Sequence, residues 1–192
     1  FYSLLKKYEI DVLVDVRSIP FSKFASQFNQ SSLKSFLKDR GIHYIFMGEN
    51  LGARWSDKDL LFEDGKVDFE KVKKTRKFQE GIKRLENGIQ KGYRIALMCS
   101  EKEALDCHRF VLISPVLDEL GYKVFHIYPT YVLSQKDLVE KMINMYKSKL
   151  LQRTLFRERD TYGTMNNIIR KAFVLRNNDI AYNAFTKTGD EK

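Results

Sequence analysis

Three short motifs hold the residues best suited to chemistry. Asp15-Val16-Arg17-Ser18 closes one apolar run, Leu97-Met98-Cys99-Ser100-Glu101 closes another, and Cys107-His108-Arg109 follows soon after. Carboxylates and imidazoles can move protons, which makes Asp15, Glu101 and His108 candidate acids and bases. Cys99 is the candidate nucleophile, with His108 or Glu101 as its base. Arg17, Arg54 and Arg109 can hold anionic groups through their forked donors, with Ser18 and Asn29 as further substrate-binding candidates.

Each candidate also has a simpler reading. Asp15 follows apolar residues, and a buried carboxylate is costly unless paired. Arg17, on the same strand face, and Arg109 are its possible partners, so Asp15 belongs either to a structural ion pair or to a ligand site. Cys99 sits where a strand hands over to a helix, a place that can bind an anion or activate a thiol. The reading preferred from residue type is a small cysteine of the core, because Cys is among the most buried residues. Its spacing to Arg109 does not match the short Cys-to-Arg loop of phosphatases and rhodaneses. Consecutive helical residues lie about 100° apart, so His108 and Arg109 are expected at one rim and Cys107 inward. Cys99, Cys107, His108 and His126 have the ligand types of a zinc site but no standard spacing, and no metal is assigned. In Leu51-Gly52-Ala53-Arg54, one glycine and one arginine do not make a P-loop. Arg54 either clamps an anion or ties down a long loop.

The positioning elements follow from periodicity. A helix is expected at 1–8, from Leu4, Leu5 and Tyr8, then a strand from Ile10 to Val16. In that strand Val12, Val14 and Val16 point one way and Leu13, Asp15 and Arg17 the other. After Pro20 comes a polar loop carrying Ser22, Gln27, Phe28 and Asn29. Ser31 or Ser32 is expected to cap the next helix, with Leu33, Phe36 and Leu37 inward and Gly41 at its end. His43 to Met47 reads as a strand, and residues 48–67 as a long irregular stretch suited to a binding loop. Residues 68–91 read as helix in two pieces, with Phe69, Val72, Phe78, Ile82 and Leu85 inward. Tyr93 to Cys99 reads as a central strand covered on both faces. A helix over 103–120 is expected to kink or break near 111–115, before Pro115. Val124 to Tyr128 is the last strand, and Ser134 to Leu151 the last long helix, with Leu138, Met142, Met145 and Leu150 inward.

Strand–helix alternation predicts an α/β fold with a mostly parallel, open sheet and helices on both faces. In such sheets ligands bind at the carboxyl ends of the strands. That rule gathers Asp15–Ser18, Cys99–Glu101 and His126–Tyr128 on one rim. The expected domains are 1–151, the α/β part, and 152–192, a small C-terminal helical appendage with a loose tail from about Thr186.

Composition bounds the rest. Hydrophobic residues make up 43% of the 192 and aromatics 13%, enough for a core. No apolar run is long enough to span a bilayer. The opening residues do not form a signal peptide, and they start so abruptly that the chain is expected to be a piece of a longer one. Two cysteines are no disulfide framework, and a cytoplasmic location is expected. A net charge of +9 favours an anionic small molecule or nucleic acid as partner. Cofactor and oligomeric state are left unassigned.

Taken in order, Asp15-Val16-Arg17-Ser18 with Pro20, Phe28-Asn29, Gly41-Ile42-x-Tyr44, Leu51-Gly52-Ala53-Arg54, Leu97-Met98-Cys99-Ser100-Glu101, Cys107-His108-Arg109 and His126-Ile127 resemble the DUF488 family of uncharacterised prokaryotic proteins. The resemblance covers about residues 1–128. It implies a Rossmann-like α/β fold and no particular reaction. It also implies a strand ahead of residue 1 that the sequence lacks. Gly52-Ala53-Arg54 departs from a more usual Gly-Gly-Arg, and Pro115 is unusual where it stands. Three functional readings result. The first is an enzyme acting on a nucleotide, nucleic acid or other phosphate-bearing substrate at the strand ends. The second is a non-catalytic nucleic-acid-binding or regulatory module. The third is a metal or redox site on Cys99 and Cys107.

Overall fold

The computed structural model describes residues 1–150 and 165–186. The chain divides into two units, Phe1–Lys102 with Tyr182–Lys192, and Glu103–Ala181.

The first unit is built on three parallel strands, β1 (Val12–Asp15), β2 (His43–Phe46) and β3 (Ile95–Met98), in the order β2-β1-β3. Val-Leu-Val is a strong strand former, and every residue of β1 is buried. Asp15 stands opposite both Phe46 and Met98, so the three strands end level. The apolar run at Tyr93 therefore supplies an edge strand among the described residues, not the expected central one. β1 has neighbours on both sides, whereas Ile95, Ala96 and Leu97 stay partly exposed.

α1 (Tyr2–Lys7) and α2 (Gln30–Lys38) pack on the Leu13 side of the sheet. Leu13 clusters there with Leu5, Ile10, Leu33, Leu37, Ile42 and Met98. Phe36 of α2 faces outward instead. The α2 cap is Asn29 and not Ser31 or Ser32, and Asn29 makes no side-chain capping bond. Its Oδ1 accepts from Ser22 N at 2.7 Å, which closes the preceding loop instead of the helix.

Residues 48–67 are more ordered than expected. They hold α3 (Gly48–Leu51), a 3-10 turn (Lys58–Leu60) and a bridge between Leu61 and Val67. Val67 N donates to Tyr182 O at 3.0 Å and Ala184 N to Gly65 O at 2.8 Å, which ties this stretch to the late residues of the same unit. The two-piece helix is present as α4 (Phe69–Lys73) and α5 (Arg76–Gln90). Thr75 Oγ1 caps α5 by accepting from Phe78 N, and Phe69, Val72, Phe78, Ile82 and Leu85 are all buried.

In the second unit, residues 103–107 are turns and bends where helix was expected. A π-helical turn (Arg109–Ile113) then leads into α6 (Ser114–Glu119), with Pro115 in its first turn. The break falls there because Pro115 has no amide hydrogen for a continuing helix, and the first turn of a new one does not need it. β4 (Phe125–Ile127) pairs antiparallel with β5 (Val132–Ser134). This corrects the expectation of a further parallel strand ending at the common rim. A parallel neighbour requires a long crossover, whereas the turn between β4 and β5 is closed locally by Tyr128 N donating to Tyr131 O at 2.9 Å. α7 (Gln135–Met145) opens with a capping box between Ser134 and Asp137. It buries Leu138 and Met142 and leaves Met145 outward. α8 (Met165–Ile180) packs against α7. The tail expected from about Thr186 lies outside the described residues. No described helix is long and apolar enough to cross a membrane.

Candidate functional site at the carboxyl edge of the sheet

Level strand ends place Val16–Ser18, Met47–Gly48 and Cys99–Glu101 at the same edge of the sheet. Val16 N donates to Met98 O at 3.0 Å, and Met47 N to Asp15 O at 2.9 Å. Asp15 and Arg17 are both buried and form a two-pronged pair. Arg17 Nε donates to Oδ1 at 2.9 Å and Nη2 to Oδ2 at 2.6 Å. The Arg17 backbone N also donates to Oδ1 at 3.1 Å, and Tyr44 Oη donates to Oδ2 at 2.6 Å. Asp15 thus accepts four hydrogen bonds, about the capacity of a carboxylate. The hydrogen bond to Asp15 raises the pKa of Arg17 further, so its charge is fixed. Burial, then the bond to Asp15, raises the pKa of Tyr44, so its hydroxyl keeps the proton it donates.

Arg17 Nη2 donates as well to Phe28 O at 2.8 Å, which draws the Phe28–Asn29 segment onto the guanidinium. Among the described residues, Arg17 Nη1 has no acceptor, and neither has Asn29 Nδ2. Ser18 Oγ accepts from Arg54 N at 3.0 Å and has no acceptor for its own proton among those residues. The Arg54 guanidinium lies over the Tyr182 ring, 5.0 Å from its centroid. Gly52 explains itself here: a Cβ would stand 2.5 Å from Ser18 Oγ and would also strike Gly48 O. A Cβ on Gly48 would strike the carbonyl oxygen of Arg17. Both glycines let α3 seat directly against the Arg17–Ser18 backbone. On the segment leaving β3, Cys99 is half-buried and Glu101 exposed.

Cys107, His108 and Arg109 fall in the second unit, and Asp15–Ser18 and Cys99–Glu101 in the first. Cys107 is fully buried, and Arg109 Nε donates to its Sγ at 3.1 Å. His108 is buried with its Nδ1 3.9 Å from that sulfur, and not turned outward as a regular helix would place it. Residues 103–107 are turns and bends, so Cys107 and His108 do not lie on one regular helix and the 100° spacing does not apply to them. His126 Nε2 donates to Gln135 Oε1 at 2.8 Å, and Phe110 packs edge-on against the ring. Burial lowers the pKa of His126, the Gln135 bond works against this, and the charge of Arg109 adds to the lowering. His126 is thus a neutral, structurally engaged imidazole.

Two contributors were not assigned roles from the sequence. Tyr44 stands in β2 opposite Leu13, and alternation along that strand alone does not reveal that its hydroxyl reaches Asp15. Arg176 of α8 is buried, donates from Nε to Leu105 O at 2.9 Å, and pairs through Nη2 with Asp106. It also donates from Nη1 to Tyr146 Oη at 3.4 Å, and Tyr146 in turn bonds Asp179. It anchors the turn just before Cys107 from some seventy residues away, a distance no local pattern spans.

Fold and site together define an α/β protein whose parallel sheet carries a buried, multiply bonded Asp–Arg pair at its carboxyl edge. Residues 1–115 match the model of DUF488, a domain of unknown function, and the chain belongs to that family. Neither the curated proteins nor the solved structures contain a match to it.

Proposed function

We propose that the carboxyl edge of the first unit binds an anionic, phosphate-bearing ligand, with Arg17 as its cation. The supporting observation is the state of Arg17. Nε and Nη2 are committed to Asp15 and Phe28 O, while Nη1 has no acceptor among the described residues. A guanidinium braced on two sides loses little freedom on binding, so its remaining donors act as a preorganised half of an anion clamp. Ser18 Oγ and Asn29 Nδ2 lie on the same chain segment and supply two more donors. Arg54 is the second cation of this reading. Open parallel α/β sheets bind their ligands at the carboxyl ends of the strands, and the three parallel strands of the first unit end level at this edge.

Asp15 in this reading is a positioning residue and not a proton acceptor, because its oxygens are already occupied by donors. Where the bound substrate is also transformed, Glu101 carries the acid–base step and Cys99 the nucleophilic one, both on the segment leaving β3 at the same edge. The full burial of Cys107 supports a packing role for it.

The test is a titration of the unaltered chain with inorganic pyrophosphate, followed through the side-chain ¹⁵N–¹H signal of Arg17. A saturable shift of that signal, lost at high salt, is expected. A signal that stays in place through millimolar pyrophosphate at low salt overturns the reading, and no variant is needed whose folding could confuse the answer.

A further inference from the structure

The loop that leaves the Arg17 site holds aromatic side chains out in water. Phe24 is fully exposed, and Phe21 is 61% exposed. The loop is nevertheless tightly made. Gln30 N donates to Pro20 O at 3.0 Å and Ser22 N to Asn29 Oδ1 at 2.7 Å. Phe24 N and Ala25 N both donate to Ser22 Oγ at 3.2 Å. A third aromatic of the loop, Phe28, is satisfied internally, edge-on to Phe1 with ring centroids 5.3 Å apart. Phe21 and Phe24 are therefore held outward by the loop's own hydrogen bonds.

The charge of this stretch of chain is one-sided. From Arg17 to Lys38 the sequence contains Arg17, Lys23, Lys34 and Lys38 and no Asp or Glu. Lys34 and Lys38 are exposed on α2, the helix that follows the loop. Exposed apolar rings on a stretch whose only charged residues are basic, leading from a braced arginine, suit an occupant with flat apolar faces and regularly repeated negative charge. We propose that this loop binds single-stranded nucleic acid, with bases stacking on Phe21 and Phe24 and backbone phosphates held by Arg17 and the lysines of α2. Stacking on exposed rings requires bases that are not already closed inside a duplex, which is why a single strand fits and a double helix does not. The proposal rests on the anion-binding reading of Arg17 and names its ligand class. Exposed phenylalanines among lysines also suit an anionic lipid surface, and the experiment separates the two.

End-labelled oligothymidylate and oligouridylate are titrated with the chain by fluorescence anisotropy, beside vesicles of phosphatidylcholine with and without phosphatidylserine. Binding of an oligonucleotide is expected, falling steeply with salt, and the preferred probe tells DNA from RNA. Phe24→Ala and Phe21→Ala are each expected to weaken it on the order of tenfold, in keeping with base–aromatic stacking. Both side chains are exposed, so the fold is kept, and the pyrophosphate response of Arg17 is expected to be unchanged. No oligonucleotide binding at low salt, with pyrophosphate still bound, overturns this inference and leaves the Arg17 reading standing. Binding that ignores both phenylalanine substitutions overturns it too, as does binding to phosphatidylserine vesicles alone. Phenylalanine-dependent oligonucleotide binding without any pyrophosphate response overturns the Arg17 reading and, with it, this inference, because phosphate contact by Arg17 is part of both.

Discussion

Replacing Asp15 by Asn changes the volume of the side chain hardly at all and removes its charge. The carboxylate accepts from Arg17 N, Nε and Nη2 and from Tyr44 Oη, at 3.1, 2.9, 2.6 and 2.6 Å. An amide has one acceptor oxygen, and its nitrogen is a donor. Whichever way it is turned, the amide nitrogen meets a donor of Arg17. Tyr44 can rotate its hydroxyl to compensate, but the guanidinium cannot become an acceptor. The Arg17 side chain is only 8% exposed, so its charge is left with little water to answer it. Removing one partner from a buried ion pair costs about 3–5 kcal/mol. For a chain of this size that lowers the melting temperature by roughly 6–20 °C.

Urea unfolding followed through Trp55 measures the loss where it should fall, because Trp55 is the single tryptophan and belongs to the first unit. The double variant Asp15→Leu with Arg17→Met is the control. If the single loss comes from a stranded charge, removing both charges is less damaging than the sum of the two single substitutions, by about 0.5–3 kcal/mol of coupling. An Asp15→Asn protein within about 1 kcal/mol of the parent, a value typical of an ordinary neutral hydrogen bond, would refute the argument that the pair is a braced and desolvated unit. Strict additivity in the double variant would do the same.

Three further outcomes follow from the geometry. Gly52→Ala forces a methyl group 2.5 Å from Ser18 Oγ and against Gly48 O at an ordinary backbone φ of −71°; the expected loss is about 1–3 kcal/mol by denaturant unfolding, from overpacking alone. His126 has a lowered pKa in the fold, so its contribution to stability is present above about pH 6.5 and is lost as pH falls through the folded value, when the buried ring must finally take a proton. Thermal melts between pH 7.5 and 5 should therefore show the parent losing stability relative to His126→Gln, and parallel curves would contradict this assignment. Arg176→Ala removes the donors to Leu105 O and Asp106, and is expected to destabilise the second unit by about 1–3 kcal/mol through the lost hydrogen bonds of a buried side chain, since Asp106 is itself exposed and solvated. In native buffer it should speed the reaction of the buried Cys107 thiol with a disulfide reagent, and unchanged thiol kinetics would show that Arg176 does not hold that turn.

The Asp15–Arg17 pair was legible because a carboxylate and an arginine at the end of an apolar strand must be explained, and only pairing or a ligand can do so. The two-piece helix over 68–91 was legible for a related reason, since Phe69, Val72, Phe78, Ile82 and Leu85 keep helical spacing on either side of the Thr75 cap. What failed were properties set by neighbours. The run at Tyr93 is more continuously apolar than β1, yet β1 is the middle strand, because strand order depends on which edges find partners. β5 is three residues long, too short to carry a period, and without it β4 could only be read as another strand of the parallel sheet. Residues 103–107 form turns and bends where a continuous helix was expected, so the helical spacing that was to turn His108 outward does not reach it.

The same distinction bears on what Asp-Val-Arg is for. Residues two apart on a strand share a face, so the spacing was sufficient to propose that Asp15 and Arg17 meet. It could not show which of the two is saturated. Asp15 has all its accepting capacity filled by Arg17 and Tyr44, while Arg17 keeps Nη1 outside every described bond. An acid in that state is poorly placed to take a substrate's proton, whereas an arginine in that state is well placed to meet an anion. Tyr44 on one side and Phe28 O on the other then have a common purpose, since each fixes a member of the pair from a different part of the chain. Gly48 and Gly52 extend the logic to the backbone, because side chains there would push α3 off Arg17 and Ser18. Motif residues far apart in sequence thus converge on holding one guanidinium still, with Asp15 as its main brace.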